Sequence, residues 1–359
     1  MADTGKLSLR IHWDVKAVGK VEIASSRPQA FQLLRARAPE HAVQMAPLLF
    51  SLCGKAQGAA AAAAVAAAQG RALPDAAGLE RSIACEALQE HLWRLLLDWP
   101  ILFGLPRMQT EFVRWHGMLR EIAAGRGEMR ALRSELEHGW LGMSGDGWRT
   151  LDSCRALQSW WHESDSPAAH LLAAIDEAGD GVQAVCTPLL PAWGANDALL
   201  ACAGSWTPDF AARPAWAGRP AETGALAWHA AKPPLRDMLH RRPSRILARV
   251  LARAYDVLEL ADATAAPRLD RASAEKGAGL AVVRTARGLL MHHVRIAAGL
   301  VEDYCVVAPT EWNFHPRGAL AEGLNGMTEN DEARLVKLAG IHALSLDPCV
   351  EYGMEVCHA

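Results

Sequence analysis

The sequence is poor in tyrosine and phenylalanine, has no large excess of one charge and has no long, strongly apolar segment. It has 3 Tyr and 6 Phe but 13 Trp, so we expect tryptophan to supply most of the aromatic packing in the core. A formal net charge of -3 gives no global field that would attract nucleic acid or a membrane surface. A long uncharged run, residues 58–70, is mostly alanine. Because alanine forms helices but is only weakly hydrophobic, no membrane insertion is expected.

The first ten residues contain no apolar run, so we expect no secretory signal. The 8 cysteines are scattered through 359 residues, a pattern typical of reduced thiols rather than of a disulfide framework. These features predict a cytoplasmic protein. We expect most of its cysteines to be small buried core residues.

Hydrophobic periodicity predicts a mixed but mainly helical chain. Alternation over 6–14 and 20–26 predicts an N-terminal β-hairpin, and helical patterns follow, with a break at Cys53 and Gly54. The alanine run after this break is either simply a strong helix former or a thin helix that lets its neighbours pack closely. A strongly amphipathic helix is predicted within 79–106.

The second half of the chain has a more varied pattern. The Pro- and Gly-rich stretch 207–235 is predicted to be extended and to cover the core rather than to separate two domains. A helix is predicted at 243–262, with Ser244 as its N-cap. Residues 279–309 predict two or three short strands, in which Cys305 is buried and His292 and His293 are structural residues.

Four short stretches carry residue types suited to a metal site: SLCGKA (51–56), TARGLLMH (285–292), APTEWN (308–313) and DPCVEY (347–352). Each is weak alone. In this order and spacing they resemble the large-subunit family of nickel-iron hydrogenases. In that family a Cys-Gly-x-Cys and an Asp-Pro-Cys-x-x-Cys meet and hold nickel and an iron that carries two cyanides and one carbon monoxide.

The resemblance spans nearly the whole chain and implies a fold. We expect a mainly α (α+β) protein, a hydrogenase large-subunit-like helical bundle with small peripheral antiparallel β-sheets. It implies one domain over residues 1–359, because Cys53 and Cys349 must meet although they are almost three hundred positions apart.

Two departures from the family pattern bear on function. Ala56 and Tyr352 stand where the second cysteine of each pair would bridge the two metals. Alanine has no donor atom, and a phenol is a poor substitute for a soft thiolate. We therefore expect no nickel, no two-metal catalytic centre and no enzyme activity. The chain also ends one residue after His358, so we expect no extension for a maturation protease to remove.

The surroundings of the iron resemble the family more closely. Arg287 matches the arginine that lines the cyanide and carbonyl pocket, and Thr310, after Pro309, matches a hydroxyl donor to cyanide. The alternatives are a surface arginine for Arg287 and a helix-cap or turn residue for Thr310. A chain that lacks the bridging cysteines but keeps the cyanide and carbonyl pocket resembles the accessory members of the family, the HupK/HoxV type of hydrogenase expression/formation protein.

This resemblance implies a maturation scaffold that briefly holds an Fe(CN)2(CO) fragment on Cys53 and Cys349. The scaffold would receive the fragment from a HypC-type chaperone and its HypD-type iron-sulfur partner, and pass it to the hydrogenase large subunit apoprotein. Cys357, beside His358, is a candidate third ligand, or part of a frayed tail. The other interpretations are a metal-free docking protein, a simple zinc or redox site formed by Cys349 and Cys357, and a working hydrogenase.

Overall fold

The computed structural model describes residues 5–178, 181–242, 244–262 and 266–358. Within these ranges the strands are β1 (Leu7–Trp13), β2 (Val18–Ser25), β3 (Leu269–Glu275), β4 (Ala278–Thr285), β5 (Gly288–Ala297), β6 (Leu300–Val307) and β7 (Tyr352–His358). The helices are α1 (Pro39–Leu49), α2 (Gly54–Ala68), α3 (Ala76–Trp93), α4 (Trp99–Leu102), α5 (Gln109–Ala123), α6 (Met129–Leu136), α7 (Gly145–Thr150), α8 (Cys154–Glu163), α9 (Pro167–Ala178), α10 (Ala195–Ala201), α11 (Pro208–Ala212), α12 (Ala225–His229), α13 (Pro233–Arg241), α14 (Ile246–Leu260), α15 (Pro309–Asn313), α16 (Ala319–Leu324) and α17 (Glu332–Ser345).

The first sheet joins the two ends of the chain. Strands β1 and β2 form the predicted antiparallel hairpin, and β7 pairs with β1 in parallel, in the order β2-β1-β7. The register runs from Leu7 opposite Tyr352 to Trp13 opposite His358. This sheet is therefore mixed rather than antiparallel. The possibility of a frayed C-terminal tail is wrong, because a regular strand occupies this segment.

The second sheet is an antiparallel meander, β3-β4-β5-β6, and the alanine-rich helix α2 packs across it. The predicted strands at 279–309 are confirmed as β4, β5 and β6. Helix α2 is buried on nearly all sides, so the prediction of a thin helix with close neighbours is confirmed. The approach is closest at Gly279, where an added Cβ would lie 2.4 Å from both Ala64 O and Ala68 N.

Most other helices form an α-rich body around a large apolar core. Five tryptophans are among its largest fully buried side chains: Trp99, Trp115, Trp140, Trp148 and Trp161. Helix α3 continues through a π-helical turn, Arg94–Asp98, into α4, and α14 packs against α3, α9, α12 and α17. Every helix in the described ranges is too short or too polar to cross a bilayer.

Two local predictions are corrected. The stretch 207–235 is not simply extended, because α11, α12 and the start of α13 form within it; prolines at the first turns of α11 and α13 favour these helices. The N-cap of α14 is Arg245 rather than Ser244. Ser244 lies one residue before this cap, and its Oγ accepts a hydrogen bond from Ile246 N at 3.2 Å.

The contact between α2 and β4 predicts a stability effect at Gly279. We expect Gly279→Ala to lower the free energy of unfolding by about 1–3 kcal/mol, because the added methyl meets backbone atoms that cannot rotate away. Gly353→Ala is the control, since no atom lies within 4 Å of an added Cβ at this strand position. Urea unfolding followed by circular dichroism measures both. Equal stabilities of the two variants would contradict the close approach.

Candidate metal centre

Cys53 stands at the start of α2, where the chain changes from a tight 3-10 turn into the helix. One turn later Gln57 directs its amide Nε2 toward the sulfur, at 3.5 Å from Sγ. The backbone N–H groups of Lys55 and Ala56 donate to the carboxylate of Glu86 at 2.8 and 2.9 Å. The first helical turn after Cys53 is thus held by a carboxylate from α3.

Cys349 is presented by a sharp turn after α17. Asp347 adopts a left-handed backbone with φ of 58°, which aspartate tolerates better than most residues. Its carboxylate accepts hydrogen bonds from Arg94 Nε at 2.8 Å and from Arg253 Nη1 at 2.9 Å. Arg94 also donates to the carbonyl of Pro348 at 3.0 Å. Two arginines therefore hold both residues that precede Cys349.

The hydroxyl of Thr310 contacts the Cys349 sulfur, with Oγ1 and Sγ 3.3 Å apart. Arg27 donates to Thr310 Oγ1 at 2.7 Å and to Glu311 Oε1 at 3.1 Å. Because a guanidinium only donates, the hydroxyl hydrogen of Thr310 remains available for the sulfur. The structure therefore places Thr310 beside a thiol, at the first turn of the short helix α15, and adds Arg27, which the sequence did not suggest.

Arg287 is buried in the turn between β4 and β5, so it is not a surface arginine. Its guanidinium pairs with Glu90, and its Nε lies 3.7 Å from Asp347 Oδ1 without a hydrogen-bond partner among the described residues. Burial acts to lower the pKa of Arg287, but Asp347, Glu90 and the thiols of Cys53 and Cys349 raise it above its usual value. Arg287 is thus the fixed positive charge next to both cysteines.

The two cysteines lie close enough to influence each other electrostatically. Burial raises the pKa of the Cys53 thiol to about 11, although Arg287 and Gln57 act in the opposite direction. The free protein therefore carries Cys53 as a neutral thiol near pH 7, and metal binding must release its proton. The described residues contain no group of three or more His, Cys, Asp or Glu side chains arranged to hold a metal ion.

Asn313 holds together three segments that surround Arg287 and Pro309. Its Nδ2 donates to Arg287 O at 3.2 Å and to Leu346 O at 3.3 Å, while its Oδ1 accepts from Thr223 N at 2.9 Å. Gly288 makes this approach possible, since at its φ of 138° an added Cβ would lie 2.4 Å from Thr223 Cγ2 and 3.0 Å from Pro309 Cβ. The sequence flagged the stretch that contains Asn313 but not this role.

One face of α3 supplies several residues of the site. Glu86, Glu90 and Arg94 recur every four residues and contact, respectively, the start of α2, Arg287 and Asp347. Burial raises the pKa of both glutamates. The spacing was visible in the sequence as an i, i+4, i+8 pattern, but an exposed charged face has the same pattern.

The replaced bridging positions are filled in different ways. Ala56 is buried in α2, with its backbone N–H bound to Glu86. Tyr352 begins β7 opposite Leu7, and its hydroxyl lies about 4.0 Å from where a Cβ on Gly340 of α17 would be. Its side chain is thus packed against a helix.

Cys357 is placed apart from the other two site cysteines. It lies in β7 opposite His12, on the outer sheet face where Arg10 and Glu355 form an ion pair at 3.0 Å. The structure brings together Cys53, Cys349, Arg287, Pro309 and Thr310, and does not bring Cys357 to them.

A narrow cavity reaches the Cys349 side of the centre. About 20 Å3 of space, roughly one water molecule, is lined by Arg27, Thr310 and Cys349 among others. A larger cavity of about 260 Å3 shares Arg27 and Glu311 with it. The Arg27–Glu311 ion pair thus lines both cavities.

Comparison with known proteins agrees with this arrangement. Residues 241–352 match the family described as nickel-dependent hydrogenase. The chain is 34% identical to the hydrogenase expression/formation protein HoxV of Cupriavidus necator, over 99% of this chain and 96% of the relative. It is 30% identical to HupK of Azotobacter vinelandii, over 99% of both. This chain belongs to the HoxV/HupK family of hydrogenase expression/formation proteins.

Solved structures show the same fold for this family member. A NiFeSe hydrogenase chain from Desulfovibrio vulgaris Hildenborough superposes with a TM-score of 0.58 over 93% of both chains, at 16% identity. A second, from Desulfomicrobium baculatum, gives 0.54 at 15% identity over 94% of this chain and 95% of the other. The predicted mainly α, hydrogenase large-subunit-like fold is confirmed.

Beyond the thiols, α14 carries a second buried charge cluster. Arg249 and Arg245 bind the buried Glu222, with Arg249 Nε 2.8 Å from Oε1 and Arg245 Nη1 2.9 Å from Oε2. Arg249 Nη1 also donates to His342 Nδ1 at 3.1 Å, and His342 Nε2 donates to Ala319 O at 3.0 Å. His342 is therefore a neutral imidazole with both nitrogens satisfied, and the cluster ties α14 to α16 and α17.

The Asp347 contacts predict that its charge is required for folding stability. We expect Asp347→Asn to lower the free energy of unfolding by about 3–5 kcal/mol, because it leaves Arg94, Arg253 and Arg287 without their shared buried carboxylate. Asp98→Asn is the matched control, since Asp98 also pairs with Arg94 but is partly exposed. It should cost less than about 1 kcal/mol. Urea unfolding measures both, and similar losses would contradict the central role of Asp347.

The buried cluster on α14 predicts a fall in stability at mildly acidic pH. Burial lowers the pKa of His342 from 6.5 to about 3. Although burial opposes it, pairing with Arg249 and Arg245 lowers the pKa of Glu222 from 4.5 to about 2. In both cases the unfolded chain binds a proton at a higher pH than the folded chain. Stability is therefore lost first from pH 6.5 downward through His342, and additionally from 4.5 downward through Glu222.

The matched variants isolate the histidine. His342→Gln keeps a donor and an acceptor but cannot gain a proton, so it should reduce the slope between pH 6.5 and 4.5 by about 1.4 kcal/mol per pH unit. His41→Gln, at an exposed position of α1, is the control. Chemical unfolding at a series of pH values gives the slopes. If His342→Gln and wild type had the same slope, His342 would not be buried in its neutral form.

Proposed function

We propose that this protein is a non-catalytic scaffold for hydrogenase maturation in the cytoplasm. It holds an Fe(CN)2(CO) fragment on Cys53 and Cys349 and passes it to the hydrogenase large subunit apoprotein. The observation that carries the proposal is the convergence of these two thiols beside the buried Arg287, with Ala56 and Tyr352 at the bridging positions. The two thiols can serve as ligands of a single iron, whereas the bridging thiolates that a shared pair of metals needs are replaced.

The chemistry of the site suits this cargo. Ferrous iron with two cyanides is neutral, so binding to two thiolates leaves a complex of charge -2 and releases two thiol protons. Arg287, with a buried Nε that lacks a partner among the described residues, and Thr310, beside Cys349, are donors of the kind that such an anion needs. Arg287, Pro309 and Thr310 are therefore the proposed pocket for the cyanide and carbonyl ligands.

Loading requires local movement. The space beside Cys349 is about the size of one water molecule, which is too small for an iron that carries three diatomic ligands, whereas the neighbouring cavity is about 260 Å3. The Arg27–Glu311 ion pair lines both cavities, so we propose that it opens during loading. In the handover, thiolates of the receiving large subunit replace the two cysteines at iron, and Cys53 and Cys349 regain their protons.

The names of the relatives support a role in hydrogenase formation rather than in hydrogen turnover. Within that role we propose a HypC-type chaperone and its HypD-type iron-sulfur partner as the source of the fragment. Only two soft ligands hold the cargo, so fewer bonds have to be exchanged at release than in a four-thiolate centre. We expect no bound nickel.

Infrared spectroscopy tests the proposal on the full chain, purified without air from cells that produce the hydrogenase maturation proteins. We expect cyanide and carbonyl stretches in the wild-type protein and their loss in Cys53→Ser and Cys349→Ser, because each change removes a ligand. Cys186→Ser is the matched control, since Cys186 is an exposed cysteine. It should retain the bands.

The same samples separate the alternatives. Retained bands in Cys357→Ser would exclude Cys357 as a required ligand. Absence of bands from wild-type protein that still co-purifies with maturation proteins would overturn the scaffold and favour a metal-free docking role. Nickel in stoichiometric amount would contradict the loss of the bridging positions.

A further inference from the structure

A buried chain of hydrogen bonds leads from the second sheet to Cys53. Tyr304 on β6 contacts His292 on β5, with the hydroxyl and Nδ1 2.8 Å apart. His292 Nε2 lies 2.8 Å from Gln57 Oε1, and Gln57 Nε2 lies 3.5 Å from Cys53 Sγ. His292 and Tyr304 are almost inaccessible to solvent. The chain therefore runs through three buried side chains and ends at a half-buried thiol.

The direction of this chain depends on the state of the sulfur. A neutral thiol can donate or accept, so the chain can run either way in the free protein. A metal-bound thiolate has no hydrogen and only accepts. The Gln57 amide must then present its N–H to Cys53 and its carbonyl to His292, which requires the hydrogen of His292 on Nε2 and donation from Tyr304 to Nδ1. One arrangement of all three side chains satisfies a thiolate.

Burial limits the chain to these two arrangements. It lowers the pKa of His292 to about 3, so the ring stays neutral with a single hydrogen, and it raises the pKa of Tyr304, which keeps its proton. The backbone of helix α2 contacts Gly279 closely, and Gln57 itself is buried. The amide therefore stays beside the sulfur, and a thiolate selects the arrangement in which Gln57 donates to it.

We propose that Gln57, oriented by His292 and Tyr304, is a positioning residue for the thiolate of Cys53, which it holds as the acceptor of one directed N–H bond. The inference rests on the proposed scaffold function and deepens it. The bond disperses negative charge from the half-buried sulfur, so the thiolate has a hydrogen-bond partner when it binds iron. Thr310 has the corresponding position next to Cys349.

Infrared spectra of protein loaded in cells, as above, test this role. Gln57→Met has a similar length but no donor, so Cys53 should give more electron density to iron, and the carbonyl stretch should move to lower wavenumber. Retention of the fragment should fall by about 10-fold or more, the usual effect of losing an outer hydrogen-bond partner of a ligand. Gln57→Glu should retain even less of the fragment, since its second carboxylate oxygen would face the sulfur.

Changes further along the chain distinguish a directed donor from simple packing. Tyr304→Phe removes only one hydroxyl and should shift the carbonyl stretch in the same direction by a smaller amount. His292→Phe should lower the carbonyl wavenumber and the retention of the fragment as Gln57→Met does. His293→Phe is the matched control, because His293 is the next residue on β5 but stacks on Trp206 at 4.9 Å. It should leave the spectrum unchanged.

The outcomes separate this inference from the proposed function. If the wild-type protein has no bands, the scaffold function fails and the inference fails with it. A second outcome is that the wild-type protein has bands and that Gln57→Met and Tyr304→Phe have the same carbonyl frequency and the same fragment content as wild type. If circular dichroism shows both variants to be folded, this result overturns the positioning role and leaves the scaffold function intact. An equal shift of the carbonyl stretch in His293→Phe would also overturn the positioning role, because the shift would then be a general effect of repacking the sheet.

Discussion

The carboxylate of Asp347 is the contact on which the rest of the centre depends. It binds Arg94 from the π-helical turn after α3 and Arg253 from α14, and it faces Arg287 from the turn between β4 and β5. Arg253 also donates to His91 Nδ1 at 3.3 Å, and His91 Nε2 donates to Asp256 at 2.8 Å. A single buried charge thus fixes two helices and a turn relative to each other. Because Cys349 follows two residues later, the position of its sulfur depends on the same contact.

The two thiols are held in different ways, which fits a centre that must both bind and release. Cys53 lies at the start of a helix packed tightly on a sheet, and its donor chain is buried. Cys349 lies in a turn next to a narrow cavity, and its donor Thr310 is bound by Arg27, which also forms the partly exposed ion pair with Glu311. Both thiols are half-buried, so what distinguishes them is the way each is held rather than how exposed each is.

The sequence was sufficient for several of the elements and for the first residues of the centre. The hairpin, the break before α2, the three strands at 279–309 and the resemblance that joins Cys53 to Cys349 depend on local patterns or on short motifs. Gln57, Glu90, Arg94 and Arg27 were not predicted. Each acts through a contact made across the fold, and a Gln or Arg in a helix or loop has no local pattern that distinguishes it from a solvated side chain.

The C-terminal strand shows the same limit most clearly and also explains the form of the centre. The alternation over residues 352–357 is typical of a strand, but it does not reveal that β7 pairs in parallel with the second edge of β1. Once the register places Tyr352 opposite Leu7, the side chain at 352 packs toward α17, and Cys357 is carried to the outer face of the sheet. The backbone beyond Cys349 is therefore committed to the sheet. Of the two cysteines that follow α17, only Cys349 therefore lies at the candidate centre, and Tyr352 is held in the sheet.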